Sequence, residues 1–179
     1  MTGLPAVFLD RDGVINRAML REGKPYPPAR LDEFELLPGS MKSLPLLAAS
    51  GYVLIGITNQ PDVARGTQSR SNVEAFNSLI QAQLPVSEIF VCYHDNSDNC
   101  PCRKPKPGLI LQAMEKYGLD LSRSWMVGDR WKDIAAGQAA GLRTIFVDYH
   151  YRETYNGLPA DFTVEDTAFL ANIILKGQL

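Results

Sequence analysis

The feature that most constrains this chain is a series of short apolar runs that each end at a polar side chain. Three of them are Phe8-Leu9-Asp10, Ile57-Thr58 and Val127-Gly128-Asp129. Segments with helical spacing of apolar residues separate these runs, and such alternation is typical of an α/β fold with a mainly parallel sheet. Because ligands bind outside the carboxyl ends of strands in open α/β sheets, the polar residues are expected to share one site.

The spacing of apolar residues, glycine and proline predicts the boundaries of each element. The expected strands cover residues 6–9, 52–57, 89–91, 125–127 and 144–147, and the expected helices cover 44–50, 71–83, a segment from Pro107 to Gly118, 132–140 and 165–175. Ser71 is the expected N-cap of the second helix. Pro45 fits a helix only in its first turn, and residues 24–28 predict an ordered but irregular loop.

Length and charge restrict the classes of function. Residues 1–179 are expected to form a single domain, with 45% hydrophobic and 21% charged residues and a formal net charge of −2. The chain has no run of like charges and no apolar stretch near the roughly 20 residues of a membrane span, so neither nucleic acid nor membrane is an expected partner. Residues 1–10 lack the pattern of a signal peptide, and a cytoplasmic monomer is the expectation.

The stretch Phe8-Leu9-Asp10-Arg11-Asp12-Gly13-Val14-Ile15-Asn16 carries two carboxylates directly after a predicted strand. Asp10 is the candidate nucleophile, because a carboxylate that attacks phosphorus forms an acyl phosphate that water then cleaves. Asp12 is the candidate general acid and base. A carboxylate approaches a phosphate dianion readily only with a cation between them. We therefore expect Mg²⁺ bound by Asp10, the backbone carbonyl of Asp12 and Asp129.

Further residues are candidates for holding the phosphoryl group and the rest of the substrate. The Thr58 hydroxyl and Asn59 offer neutral hydrogen-bond donors. Lys104 offers a compact cation and is favoured over its rival Lys106. Arg103 offers a planar fork that suits a second phosphate or substrate hydroxyls.

Arg130 and Asp133, which follow the predicted metal ligand Asp129 in the sequence, complete the candidate site. Arg130 either reaches the substrate or is a solvated surface side chain, and Asp133 is placed to orient water ligands of the metal. Each motif alone also has an ordinary structural explanation, because Asp-Arg-Asp-Gly fits a surface turn and Gly-Asp after a strand fits a turn. The combination favours catalysis, since each motif follows its own strand.

All of the cysteines lie within eleven residues of the chain. Cys92-x-His94 followed by Cys100-x-Cys102 offers four ligands of the types that form a closed tetrahedral Cys₃His zinc site. An odd, clustered set does not predict a disulfide framework, and free thiols in a surface loop are the alternative. Zinc in the loop 92–108 would be structural, because no ligand position stays open for water. It would also fix Arg103 and Lys104 beside the phosphate.

Taken together, these motifs resemble those of the haloacid-dehalogenase-like phosphohydrolases. The matching elements are Asp10-x-Asp12-Gly13, Thr58, Lys104, Gly128-Asp129, Ile57-Thr58-Asn59-Gln60, Val63-Ala64-Arg65-Gly66 and Cys102-Arg103-Lys104-Pro105-x-Pro107-Gly108. The set is similar to the branch of heptose-bisphosphate and histidinol-phosphate phosphatases. The resemblance spans about residues 5–150. It implies a Rossmann-like fold with helices on both faces of the sheet, dependence on Mg²⁺, and small phosphorylated substrates.

The chain departs from these relatives at several places. Tyr93 stands where they usually have proline, and only five residues separate His94 from Cys100, as in the histidinol-phosphate relatives. Ala64-Arg65-Gly66 and Pro107-Gly108 are more similar to the heptose relatives. The segment 17–35 is longer than usual.

The gaps between the motifs indicate an open site. About 45 residues separate Asp12 from Thr58, and the expected elements fill this gap and the one from Thr58 to Lys104. No large cap domain is therefore expected, and loops that include the zinc loop should roof the site. The first hypothesis is a phosphatase for the 7-phosphate of a heptose 1,7-bisphosphate. The alternatives are a histidinol-phosphate phosphatase and a non-catalytic, zinc-stabilised binding protein.

Overall fold

Apolar strands and the helices that cover them make up most of the computed structural model, which describes residues 3–176. The strands are β1 (Ala6–Leu9), β2 (Met19–Arg21), β3 (Lys24–Tyr26), β4 (Val53–Asn59), β5 (Glu88–Cys92), β6 (Trp125–Gly128), β7 (Arg143–Val147) and β8 (Phe162–Val164). The helices are α1 (Pro38–Ala49), α2 (Arg70–Gln83), α3 (Gly108–Tyr117), α4 (Trp131–Ala139) and α5 (Leu170–Lys176). The single-domain prediction for residues 1–179 stays a prediction, since its ends lie outside the described residues.

Within residues 3–176, six strands form one parallel sheet in the order β5-β4-β1-β6-β7-β8. Strand β1 is central, and Leu9 lies beside Gly56 of β4 and Val127 of β6. The three strands therefore end at the same edge of the sheet. This register brings the residues that follow them, or end them, into one region, as the sequence predicts.

Both faces of the sheet are buried, which confirms helices on both sides. Val7 and Leu9 belong to a hydrophobic cluster with residues of α1, α2 and α5. Ala6 and Phe8 belong to a second cluster with residues of α3 and α4. Because successive side chains of a strand point to opposite faces, an uninterrupted apolar strand such as β1 is suited to a sheet covered on both sides.

The insertions between the strands are small. Between β1 and β4 the chain contains the β2–β3 hairpin, a short 3₁₀ turn and α1, and between β4 and β5 it contains α2. The described residues thus include no large cap domain, as expected. No helix within residues 3–176 has the length and apolar character needed to cross a membrane.

Three strands, β2, β3 and β8, were missed by the sequence patterns. Residues 24–26 form a strand of the β2–β3 hairpin instead of an irregular loop. Its turn residues Glu22 and Gly23 both have positive φ, as in a two-residue hairpin turn, but Glu-Gly is a weaker signal than Asn-Gly. Strand β8 is only three residues long and was also missed.

The prediction for Pro45 was wrong. It lies inside α1, which begins at Pro38, and not in the first turn. Pro45 is on the exposed face of the helix, where water can bond the carbonyl group that lacks its helical donor. The burial of Leu44 and Leu47, both 0% exposed, offsets the roughly 3 kcal/mol cost of an internal proline.

The N-cap prediction for α2 was also wrong. Ser69, and not Ser71, accepts a hydrogen bond from the backbone N–H of Asn72 at 3.1 Å. The helix therefore begins at Arg70, one residue earlier than expected. Two serines two positions apart both fit the N-cap pattern, and the sequence alone does not separate them.

Candidate active site

The centre of the candidate site is the buried side chain of Asp10, which follows β1. Its backbone N–H bonds Val127 O of β6 at 2.9 Å. Its carboxylate accepts a hydrogen bond from Lys104 Nζ at 2.6 Å. Burial, and then the charge of Asp133, raise the pKa of Asp10 to about 6. A carboxylate in this position is costly when it is ionised without a further cation.

Lys104 is almost completely buried among oxygen atoms. Besides Asp10, Nζ contacts Asp133 Oδ1 at 2.6 Å and donates to Ile57 O at 2.7 Å. Burial alone would lower the pKa of Lys104, but the charges of Asp10 and Asp133 outweigh it and hold the pKa above its usual value. The rival Lys106 is exposed and bonds Asn99 and the carbonyl of Cys100. Lys104 is thus the lysine that meets the candidate nucleophile.

Asp10, Asp129 and Asp133 form a carboxylate cluster, in which one oxygen from each lies within 4.8 Å of the others. Asp129 is 1% exposed, and its Oδ1 has no hydrogen-bond partner in the described part of the chain. Burial, followed by the charge of Asp10, raises the pKa of Asp129 well above its usual value. Three buried carboxylates with an unpaired oxygen fit a hard divalent cation such as Mg²⁺. The backbone carbonyl of Asp12 as a ligand stays a prediction.

Asp12 is oriented by hydrogen bonds from several side chains. Its carboxylate accepts from Arg11 Nη2 at 3.0 Å, Asn16 Nδ2 at 3.0 Å and Gln60 Nε2 at 2.8 Å. Arg11 itself is 0% exposed and donates to Asn77 Oδ1 at 3.1 Å. The Asp12 side chain remains 13% exposed, so it is fixed in direction and still open to the cleft. This is the geometry that an acid and base catalyst requires.

Thr58 and Asn59 end β4 on the other side of Asp10. The Thr58 hydroxyl accepts a hydrogen bond from Gln60 Nε2 at 2.9 Å, which leaves its own proton free to donate. The Asn59 amide is used differently, because it accepts from Lys104 N and donates to Lys104 O, both at 3.1 Å. Asn59 therefore holds the peptide of Lys104 as well as lining the site.

Most of the predicted residues meet in one small cleft of about 70 Å³, called the substrate cleft here, whereas Asp129 lines the neighbouring pocket with Arg130 and Tyr151. The substrate cleft is lined by Asp10, Asp12, Ala18, Pro25, Tyr26, Pro27, Thr58, Asn59, Lys104, Arg130, Lys132 and Asp133. Pro25 and Tyr26 of the β2–β3 hairpin, and Pro27 directly after it, line the cleft. The segment that was longer than usual in the sequence thus covers the site.

Arg103 lies beside this cleft and not among its lining residues. It lines an adjoining groove together with Lys104 and Lys132. Its guanidinium donates to Asn96 Oδ1 at 2.8 Å and to His94 O at 3.2 Å. These bonds tie Arg103 to the loop that carries the cysteines.

Two residues near Asp129 were missed by sequence reasoning. The Tyr151 hydroxyl donates to Asp129 Oδ2 at 2.8 Å, and Glu153 forms an ion pair with Arg130. Both lie in the irregular segment after β7, where the sequence has no periodic pattern. Gln60 was part of a recognised motif, but only its contacts with Asp12 and Thr58 reveal its role.

The cysteine loop brings its four candidate ligands together. Cys102 Sγ lies 3.3 Å from Cys92 Sγ, from Cys100 Sγ and from His94 Nδ1, and Cys92 Sγ lies 3.7 Å from Cys100 Sγ and His94 Nδ1. Zinc–sulfur bonds of about 2.3 Å in a tetrahedron place the ligands about 3.7 Å apart. The donor types and their separations therefore fit a zinc ion. The cysteines form no disulfide in the described chain.

Comparison with known proteins identifies the family. The HAD-hydrolase-like family model matches residues 101–164. The D-glycero-beta-D-manno-heptose-1,7-bisphosphate 7-phosphatase of Pasteurella multocida is 34% identical over 94% of this chain and 96% of its own length. The chain belongs to this phosphatase family of haloacid-dehalogenase-like hydrolases. The resemblance in the motifs is confirmed, and the chain is an enzyme of the phosphatase class rather than a non-catalytic binding protein.

Other members of the family agree over most of the chain. The D-glycero-alpha-D-manno-heptose-1,7-bisphosphate 7-phosphatase of Photorhabdus laumondii is 35% identical over 80% of this chain and 82% of its own. A crystal structure of D,D-heptose 1,7-bisphosphate phosphatase from B. bronchiseptica, complexed with magnesium and phosphate, is 28% identical with a TM-score of 0.81. It covers 98% of this chain and 100% of that one. A magnesium ion thus occurs in a homologue of the same fold.

Proposed function

We propose that this chain removes the 7-phosphate of a D-glycero-D-manno-heptose 1,7-bisphosphate, with Asp10 as the nucleophile. The observation that carries the proposal is the substrate cleft, in which Asp10 contacts Lys104 and belongs to the carboxylate cluster, with Asp12 beside it. Relatives with this activity match the chain over nearly its whole length. Magnesium on the carboxylate cluster and zinc on Cys92, His94, Cys100 and Cys102 complete the proposal.

In the first step, a carboxylate oxygen of Asp10 bonds to phosphorus while the bond from phosphorus to the sugar oxygen breaks. Asp12 gives a proton to the departing oxygen. In the second step, water bonds to phosphorus, Asp12 takes a proton from it, and the bond to Asp10 breaks to release inorganic phosphate. Magnesium, when bound by Asp10, Asp12 O and Asp129, supplies positive charge that offsets the repulsion between carboxylate and phosphate.

The neighbouring residues hold the phosphoryl group and the sugar. Lys104 places a positive charge beside Asp10, and the Thr58 hydroxyl offers a hydrogen-bond donor to the phosphoryl oxygens, whose charge is spread in the transition state. Arg130 also lines the cleft, where its guanidinium can contact another polar group of the substrate. Arg103 in the adjoining groove is suited to a second charged group.

The test is a side-by-side assay of purified enzyme with Mg²⁺ on both anomers of the heptose 1,7-bisphosphate and on histidinol phosphate. We expect the highest kcat/KM on one of the bisphosphates, with release of one phosphate and a heptose 1-phosphate as the other product. The Asp10→Asn variant is the control for contaminating phosphatase. The short spacing between His94 and Cys100 makes histidinol phosphate the informative competitor. A higher kcat/KM on histidinol phosphate would overturn the substrate, and retained turnover in Asp10→Asn would overturn the nucleophile.

A further inference from the structure

The two oxygens of Asp129 have different surroundings. Oδ2 accepts a hydrogen bond from the Tyr151 hydroxyl at 2.8 Å. Oδ1 is buried and has no hydrogen-bond partner within residues 3–176. A buried carboxylate oxygen without a donor costs free energy unless something else satisfies it. Oδ2 is therefore bound by the protein, whereas Oδ1 is available to a ligand such as a metal ion.

The backbone at Gly13 makes room for this arrangement. A Cβ atom at Gly13 would lie only 1.8 Å from Asp129 Oδ2, and Gly13 has a φ of +99°. Only glycine combines this backbone conformation with so close an approach. Asp129 thus lies tightly against Gly13, and Tyr151 donates its hydrogen bond to the same oxygen.

Tyr151 is itself fixed by its neighbours in the segment after β7. Its ring lies against that of Tyr149, with 5.6 Å between the ring centroids. The next residue, Arg152, donates its backbone N–H to Gly23 O of the hairpin turn at 2.8 Å. Glu153 forms an ion pair with Arg130. The segment that carries Tyr151 is therefore tied to the hairpin turn and to Arg130, and its ring packs on Tyr149.

We propose that Tyr151 is a positioning residue for the magnesium site: its hydroxyl binds Asp129 Oδ2 and thereby directs Oδ1 towards the cation shared with Asp10. This inference rests on the proposed function, because it requires magnesium at the carboxylate cluster. Hydrogen bonds to metal-binding carboxylates fix the ligand in one orientation. Without the hydroxyl, Oδ2 loses its only donor from a side chain in the described structure, and the carboxylate can turn.

The test compares Tyr151→Phe with wild type in Mg²⁺ titration calorimetry and in thermal unfolding with and without Mg²⁺. We expect a Kd for Mg²⁺ that rises by about 10–100-fold, the range found when such partners are removed. The Mg²⁺-induced rise in Tm should shrink, whereas the Tm without Mg²⁺ should change little. In turnover, the variant should need more Mg²⁺ and regain most of kcat at saturation.

Tyr149→Phe is the matched control, because it removes a neighbouring tyrosine hydroxyl that, within residues 3–176, donates no hydrogen bond to Asp129. It should bind Mg²⁺ as wild type does. A Kd for Tyr151→Phe within twofold of wild type, or an equal loss in Tyr149→Phe, would overturn the positioning role. Failure of the wild-type protein to bind Mg²⁺ would instead overturn the metal site in the proposed function. If Tyr151→Phe does not fold, a folded Tyr151→Leu variant, which also lacks a side-chain donor, that binds Mg²⁺ as wild type does would overturn the positioning role.

Discussion

The carboxylate cluster and the zinc loop are built in opposite ways, although both are candidate metal sites. The carboxylates of Asp10 and Asp129 follow central strands of the sheet, and Asp133 lies in the first turn of α4. The four zinc-loop ligands come from eleven consecutive residues, most of them outside helices and strands. The first cluster is therefore positioned by the fold, whereas we expect the second to need a bound metal for a fixed structure.

The two regions meet at Lys104, which lies two residues after Cys102 and contacts two members of the carboxylate cluster. In the carboxylate cluster we expect a bound cation to offset negative charge. In the zinc loop we expect a bound cation to hold four ligands together, beside the hydrophobic cluster that Cys92 and Cys102 join. Removal of the two metals should thus have different consequences, one for chemistry and the other for local structure and, through Lys104, for chemistry as well.

The largest expected effect is that of Asp10→Asn. The variant loses the nucleophile, and turnover should fall by at least about 10⁴-fold. The fold should persist, because Lys104 keeps its contacts with Asp133 and Ile57 O. Phosphate release and thermal unfolding measure both outcomes. A variant that loses activity only because it unfolds would contradict a cluster positioned by the sheet.

Zinc removal should have a smaller effect on turnover and a larger effect on stability. Chelation, or Cys100→Ser, should lower Tm and reduce turnover roughly 10-fold, less than the 10²–10³-fold expected when a charge-stabilising donor is deleted outright. Zinc content, Tm and kcat measured on the same samples check this. If zinc-depleted protein stays folded and keeps full turnover, the loop does not position Lys104.

The pH dependence of Tm in the metal-free protein should reveal the cost of ionising Asp10 within the carboxylate cluster. The pKa of Asp10 is raised to about 6 by burial and by Asp133, so the folded state holds this proton more tightly than the unfolded state. The corresponding stability is present below pH 4 and is lost as the pH rises through about 6. Without Mg²⁺, the Tm of Asp10→Asn should therefore rise relative to wild type between pH 4 and pH 7. Added Mg²⁺ should reverse this difference, and a pH-independent difference would contradict it.

The smallest effect is expected for Glu153→Gln, which weakens the ion pair with Arg130 on the carboxylate side of the substrate cleft. This pair is partly exposed, so its loss should raise KM by roughly 2–5-fold with kcat nearly unchanged. Glu88→Gln is the matched control, because it breaks the partly exposed ion pair with Lys116 at the start of β5. Equal changes in both variants would show a general effect of lost surface charge.

The parts of the site that the sequence predicted are those that follow from local pattern. Asp10, Thr58 and Asp129 were found because each lies at the end of an apolar strand, and parallel strands bring such ends together. The zinc-loop residues were found because ligand type and spacing are visible within eleven positions. Neither inference needed knowledge of distant contacts.

The parts that were missed depend on contacts between distant segments. Tyr151 acts on Asp129 across 22 positions of the chain, from a segment without periodicity. The strand at residues 24–26 has an internal proline, which usually argues against a strand, but it pairs only within an exposed hairpin. Pro45 is tolerated because of tertiary packing on the opposite face of α1. In each case the surroundings in space, and not the local sequence, decide the outcome.

The double hydrogen bond between the Asn59 side chain and the peptide of Lys104 has a consequence for how substrates enter. These two bonds attach Lys104, which lines the substrate cleft, to β4. Lys104 can move outward only if both bonds break. The hairpin, with three residues in each strand and mostly exposed side chains, lines the same cleft and is tied down at its turn by the single bond from Arg152 N to Gly23 O. We therefore expect the cleft to widen more readily at the hairpin than beside Lys104, so that changes in hairpin length or turn alter which molecules pass.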